Sequence, residues 1–253
     1  MADVILTERH GRILIVTINR PESRNAVNFA VSQGLADAVD ELDGDDDLSV
    51  MIVTGSGGFF SAGMDLKAFA EGQQVIVQGR GLGFTEQPPV KPVISAVEGG
   101  ALGGGAEMVL ATDLVVAARD AKFGLPEVRR GMVAGGGGML RLPQRIPYQR
   151  ALEILLTGDT FSAQEANSWG LVNVVSDPGE ALNEAVRLAE RITRNGPLAI
   201  AATKAIVVES AEWTRSEQWQ RQLDMMMPVF TSNDAREGAI AFAERRTPQW
   251  TGT

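Results

Sequence analysis

The chain has no cysteine. Thiol nucleophiles, disulfides and thiolate metal ligands are thereby excluded together. It has one histidine, His10, beside Gly11 in what reads as a hairpin turn. A Ser-His-Asp triad or an imidazole metal site would rest on that residue alone. A surface turn histidine is the plainer reading, and no metal site is expected. No apolar run approaches the roughly 20 residues that a membrane-spanning helix needs. Met1 to Ile5 lack the cationic-then-apolar order of a signal peptide, which together with the missing cysteine suits a cytoplasmic protein. Lys and Arg number 23 against 32 Asp and Glu, a net charge of −9, and no basic block stands out. Nucleic acid is therefore not an expected partner. Acidity does not exclude a phosphate-bearing ligand, because a few placed cations or N–H groups suffice for one small molecule. There is no G-K-[ST], so no P-loop, and no G-x-G-x-x-G following a strand, so no dinucleotide fingerprint.

What is present is ample material for a core. The 253 residues are 44% hydrophobic, enough for one large domain or one domain with an appendage. Ile13 to Ile18 and the shorter Val4-Ile5-Leu6 are rich in β-branched residues and flank Arg9-His10-Gly11-Arg12, predicting a hairpin. Asn28 to Leu42 carries Val31, Leu35, Ala38, Val39 and Leu42 at helical spacing. Val50 to Thr54 reads as a buried strand stopped by glycines. Residues 70–90 are ambiguous: Gln73 to Gln78 suit a helix, but the glycines and Pro88-Pro89 favour a mobile connection. Leu114 to Ala117, Ala121 to Gly124 and Leu171 to Val175 are further strand candidates. Pro147 to Leu156 reads as a helix, and Ser162-Ala163-Gln164-Glu165 is a capping box opening another. From Gly179 onward the pattern is helical, about 180–194, 198–209, 214–226 and 232–245, punctuated by Pro197, Pro228 and Pro248. The expected division is a β/α core over 1–178 and a helical C-terminal region over 179–253.

One stretch, AVEGGALGGGAEMVL at 96–110, organises the rest. The strand-like Pro92 to Val97 passes through five glycines into a helix that holds Glu107 in its first turns. Free backbone N–H groups at a helix start, backed by the helix dipole, face whatever negative charge lies before them. Taken alone, the plain reading is a glycine turn with a dipole-stabilised glutamate. An oxyanion hole with an acid/base neighbour is the sharper one. Gly135 to Gly138 form a second glycine entry to a helix.

NRPESRNAV at 19–27, FFSAGMDL at 59–66, ALGGGAE at 101–107, FGLPEV at 123–128 and LTGDTFSAQEANSWGLVNVV at 156–175, in this order and spacing, resemble the crotonase superfamily, the enoyl-CoA hydratase/isomerase family. DAREGAIAFAERR at 234–246 extends the resemblance to nearly the whole chain. The resemblance implies an α/β fold, a spiral of repeated β-β-α turns with an α-helical C-terminal region that builds trimers, commonly paired into hexamers. It implies an acyl-CoA thioester substrate, with coenzyme A part of that substrate and no separate cofactor. The thioester enolate would be held by the N–H groups of Met64 and Gly104. For Gly104 the physics agrees independently, since it stands at a helix N-terminus.

The family's hydratases use two glutamates, and their matches here are Glu107 and Glu127. Two acids can grip one water from either side. Burial and like charge should raise the pKa of one, leaving an acid and a base. Glu107 is assigned to orienting and deprotonating water, Glu127 to proton exchange at the α-carbon. The coenzyme A contacts implied are Arg24, Ala26, Ala62, Asp65 and Leu66, with Phe230 and Arg245 as candidates from the C-terminal helices, sometimes supplied across a subunit boundary. Glu98 and Gly100 stand where the family often has Asn and an aromatic, and Ala134 where proline is frequent. Gly100 and residues 70–90 are expected to line the acyl pocket. The function implied is hydration of a trans-2-enoyl-CoA to a 3-hydroxyacyl-CoA. The alternatives are a double-bond isomerase, a specialised acyl-CoA dehydratase, or an acyl-CoA-binding protein without turnover.

Overall fold

The computed structural model describes residues 3–253. Met1 and Ala2, where the N-terminal reading begins, lie outside them. Strands β1 (Ile5–His10) and β2 (Ile13–Ile18) form the expected antiparallel hairpin. A 3-10 turn over Pro21–Ser23 leads to helix α1 (Phe29–Gly44), whose N-cap Asn28 accepts from the Val31 N–H. Next come β3 (Val50–Gly55) and the short α2 (Leu66–Ala70). Residues 73–78 form no helix. The glycines at 72, 79, 81 and 83 all take positive φ, and such backbone cannot propagate an α-helical ladder.

The chain continues through β4 (Val93–Val97), β5 (Gly100–Leu102), α3 (Gly104–Ala111), β6 (Leu114–Ala118) and β7 (Lys122–Gly124). A 3-10 turn spans Pro126–Arg130, followed by α4 (Gly138–Arg145), α5 (Tyr148–Thr157), β8 (Thr160–Ser162), α6 (Ala163–Ser168) and β9 (Val174–Ser176). The capping box at Ser162 and Glu165 is formed as expected. Four helices finish the chain: α7 (Ala181–Thr193), α8 (Pro197–Glu209), α9 (Gln218–Phe230) and α10 (Asn233–Glu244). Helix α9 starts later than its spacing predicts and runs through Pro228 rather than stopping before it. Among the described residues no helix is long and apolar enough to cross a membrane.

Two sheets result. Six strands run in the order β1-β2-β3-β4-β6-β9, parallel except for the hairpin, and three more run β5-β7-β8. The parallel strands are apolar without alternation because both faces of the larger sheet are covered. Leu14, Val16, Met51 and Val53 point into the main core. Their neighbours Ile13, Ile15, Val50 and Ile52 face the other way, onto Ala181, Ala185 and Ala189 of α7. The four-residue spacing of those alanines lets the helix lie close on the sheet.

Glu98 has a structural use here. Its carboxylate accepts from the N–H groups of Gly179 at 3.0 Å and Ala181 at 2.9 Å, neutralising orphan donors at the start of α7. Glu98→Ala is expected to cost about 1–2 kcal/mol. A thermal melt should show a midpoint lower by several degrees, with kcat unchanged; an unchanged midpoint would deny Glu98 this role.

Candidate active site

The site is assembled where two main-chain segments press together. Gly63 has φ +88°, and a methyl group there would lie 2.7 Å from Gly104 N and 2.6 Å from Leu102 O. Only glycine tolerates both the left-handed backbone and that approach. A methyl on Gly104 would lie 3.4 Å from Met64 N. Val27 N–H donates to Gly63 O, and Asp65 N–H donates to Val27 O, both at 2.8 Å. This parallel bridge uses the groups either side of Met64 and turns the Met64 N–H away from Val27. Gly104 opens α3, so its N–H has no acceptor one helical turn back. The preceding Gly103 takes φ +54° and ψ −127°, a backbone conformation that strains any residue with a side chain.

One turn into α3, Glu107 is only 4% exposed. Its Oε1 accepts from Gly138 N–H, the first residue of α4, at 2.9 Å. Glycines 136 and 138 pack directly on this carboxylate: methyl groups there would lie 2.7 Å from Oε2 and 3.1 Å from Oε1. Burial pushes the Glu107 carboxyl above its ordinary value, opposed by the Gly138 N–H, and the charge of Glu127 pushes it further up. Glu127 sits in the 3-10 turn after Pro126, with Oε1 3.2 Å from where a methyl on Gly103 would be. Its Oε2 is buried without a hydrogen-bond partner in the protein. Burial raises this carboxyl as well. Both acids are thus shifted in the same direction, and burial outweighs like charge as the cause.

Met64, Gly104, Glu107 and Glu127 all line one cavity of about 880 Å³. Its apolar wall includes Ile76, Leu82, Leu102, Met132, Val133 and Leu140. Arg141 also lines it; burial lowers the pKa of its guanidinium, opposed by the charge of Glu107.

A profile of the enoyl-CoA hydratase/isomerase family matches residues 8–253. The chain belongs to that family. Its relatives include an enoyl-CoA hydratase, EchA19, of Mycobacterium tuberculosis, 40% identical over 97% of this chain and 95% of that protein. A carnitinyl-CoA dehydratase of Salmonella arizonae is 40% identical over the whole of both chains. A crystal structure of an enoyl-CoA hydratase from Mycobacterium tuberculosis superposes with a TM-score of 0.99 at 63% identity, covering both chains fully. The fold is the family's crotonase-type α/β spiral with a helical C-terminal region.

Within this member of the family, the sequence-predicted positions divide. Arg24, Ala62 and Leu66 line the same cavity as the two acids. Arg24 has φ +50°, and its guanidinium lies 5.8 Å from the centre of the Phe59 ring. Ala26 and Asp65 are not on the cavity wall. The Asp65 carboxylate is spent on structure: it pairs with Arg20 at 3.1 Å and accepts from the Lys67 and Ala68 N–H groups as N-cap of α2. Phe230, at the end of α9, is 68% exposed and apart from the cavity of its own chain, as is Arg245 beyond α10. Of the pocket expectations, Ile76, Leu82, Thr85 and Glu86 do reach the cavity, whereas Gly100 does not; it packs behind the Phe59 ring. His10 is exposed at the end of β1, 3.6 Å from Glu190.

Sequence reasoning missed Arg141 and the grip of residues 136–138 on Glu107. The glycine run before α4 was visible as a helix entry, but nothing local in it pointed to a residue on α3.

Proposed function

We propose that this chain is an enoyl-CoA hydratase that adds water to a trans-2-enoyl-CoA through Glu107 and Glu127, with the thioester oxygen held by the N–H groups of Met64 and Gly104. The observation that carries the reading is the pair of carboxyls, Glu107 buried and Glu127 half-buried, on the wall of one cavity, beside the Gly63–Met64 and Gly103–Gly104 segments, which approach too closely at Gly63 and Gly104 for side chains there. Glu107, held by the start of α4, orients a water and removes one of its protons as the oxygen bonds to the β-carbon. The π electrons of the double bond move through the α-carbon onto the thioester oxygen. That oxygen becomes an enolate, stabilised by the two N–H donors and the dipole of α3. The electrons then return, the α-carbon takes a proton from Glu127, and a 3-hydroxyacyl-CoA results.

The unpartnered Glu127 Oε2 supports a role in handling a proton, because a buried carboxyl oxygen without a partner is costly unless it carries or meets a hydrogen. Coenzyme A arrives as part of the substrate, against Arg24, Ala62 and Leu66, and the reaction needs no other cofactor. Ala26 and, in an oligomer, Phe230 and Arg245 would supply outer contacts to coenzyme A, while the Asp65 carboxylate serves the fold through Arg20 and the N-cap of α2. Assembly as a homotrimer or dimer of trimers in the cytoplasm is part of the proposal. Exposed apolar side chains on the last three helices, among them Val207, Trp219, Met227, Phe230 and Phe242, support it.

Relatives named carnitinyl-CoA dehydratase favour, as a second reading, a dehydratase of a specialised acyl-CoA using the same groups. A panel of enoyl-CoAs of increasing chain length, followed by loss of the conjugated thioester absorbance, separates the two. Hydration of crotonyl-CoA and its simple homologues to products one water heavier is expected. Binding of every panel member without turnover would defeat the hydratase reading, and shifted double bonds would indicate an isomerase.

A further inference from the structure

The two N–H donors belong to different segments, and one buried residue holds both, the first through its side chain and the second through its main chain. We propose that Ser61 is a positioning residue that sets the spacing between the Met64 and Gly104 amides; this rests on the proposed role of those amides. Ser61 is fully buried. Its Oγ donates to Asn25 O at 2.8 Å and accepts from Gly63 N–H at 3.1 Å. The Gly63 peptide is thereby fixed one residue before the Met64 N–H. The main chain of Ser61 holds the other loop. Its N–H donates to Gly100 O at 3.1 Å, and its carbonyl accepts from Leu102 N–H at 2.9 Å, a parallel bridge to Ala101. Two residues beyond Leu102 lies Gly104. A methyl on Gly105 would come within 2.5 Å of Ser61 O, so α3 starts directly against this serine.

The anchor for the hydroxyl is itself rigid. Asn25 is fully buried with φ +56°. Its side chain donates to Ser56 O and Phe59 O and accepts from Arg20 N–H. A fully satisfied buried network of this kind holds one arrangement. Removing the Ser61 hydroxyl leaves Gly63 N–H and Asn25 O unpaired and frees the Gly63 peptide to tilt. The main-chain bridge to Ala101 stays. The Met64 donor would then shift relative to Gly104, an effect felt when charge develops on the thioester oxygen and much less when substrate merely binds.

The test is Ser61→Ala and Ser61→Cys. In S61A, kcat for crotonyl-CoA is expected to fall about 10–100-fold with KM within about threefold, a partial loss of one oxyanion donor. S61C, with a weak S–H donor, should recover part of the rate. The deciding readout is the infrared carbonyl stretch of bound crotonyl-CoA, measured in an E107Q/E127Q background that holds it unreacted. Binding to that background should lower the stretch, and adding S61A should abolish much of the lowering. A full lowering together with wild-type kcat in S61A overturns the role of Ser61. Should S61A not fold, the same two measurements on S61C decide, with intermediate values expected and full wild-type values overturning the proposal. No lowering even with Ser61 intact would instead remove the two-amide reading itself.

Discussion

Glu107→Gln and Glu127→Gln are each expected to reduce kcat for hydration of crotonyl-CoA by roughly 10²–10⁴-fold, the range for loss of a general acid or base. Glutamine preserves the shape and the hydrogen bond from Gly138 N–H to Glu107 but can neither take nor give the proton. KM should move little, since neither acid is needed to seat the thioester. Turnover unchanged in both variants would end the two-carboxylate mechanism.

The same substitutions carry a stability signature with a definite sign. Burial raises the Glu107 carboxyl above its ordinary 4.5, so the folded protein holds that proton more tightly than the unfolded chain. Stability then declines as pH rises from the unfolded value through the raised folded one, and the penalty persists above it. Glu107→Gln is free of this penalty. It should melt higher than the wild type at neutral pH, by about 2–4 °C per kcal/mol recovered, and the difference should vanish once pH falls below the unfolded value. Because both carboxyls are raised and one pushes on the other, the acid limb of kcat/KM should also lie above the ordinary carboxylate range, with apparent values belonging to the pair.

Gly136→Ala is the second large effect expected. A methyl at this position would stand 2.7 Å from Glu107 Oε2 and 3.0 Å from its Cδ. The backbone at Gly136 is outside the positive-φ region, so alanine introduces little strain of its own. The carboxylate must therefore swing away, and a misplacement of about 1 Å costs on the order of 10²-fold in rate. Gly135→Ala is the control, because its methyl would meet nothing nearer than Val133 O at 3.9 Å. A hundredfold loss of kcat in G136A, near-normal turnover in G135A and similar melting midpoints in both are expected. Equal rates in the two would show that the grip of the α4 entry on Glu107 has no bearing on the chemistry.

Local patterns reached far into the fold. The hairpin of β1 and β2, helix α1 with its Asn28 cap, strand β3 and the capping box at Ser162 are all written in runs of adjacent residues, and such signals act over one or two turns. The three-residue strands β5 and β8 carry no comparable pattern. They exist because β7 lies between them and pairs with both. Residues 73–78 have acceptable helix formers, and positive-φ glycines nearby override them. The alanine stripe of α7 reads as an ordinary helix face until the sheet is beneath it.

By itself, then, the chain determined its class of chemistry. Absent thiols, a single turn histidine and a glycine entry to a helix bearing Glu107 left an oxyanion hole with an acid/base neighbour as one reading beside a plain glycine turn, and it was the ordered motifs, through their resemblance to the family, that implied Glu127 and the thioester substrate. Only the folded molecule decided which groups share a cavity. Arg141 and the Gly138 amide joined Glu107 there, while Asp65 and Gly100 were taken up by structure. Which groups meet depends on residues brought together from separate parts of the chain by non-local packing, and no periodicity along the chain encodes that.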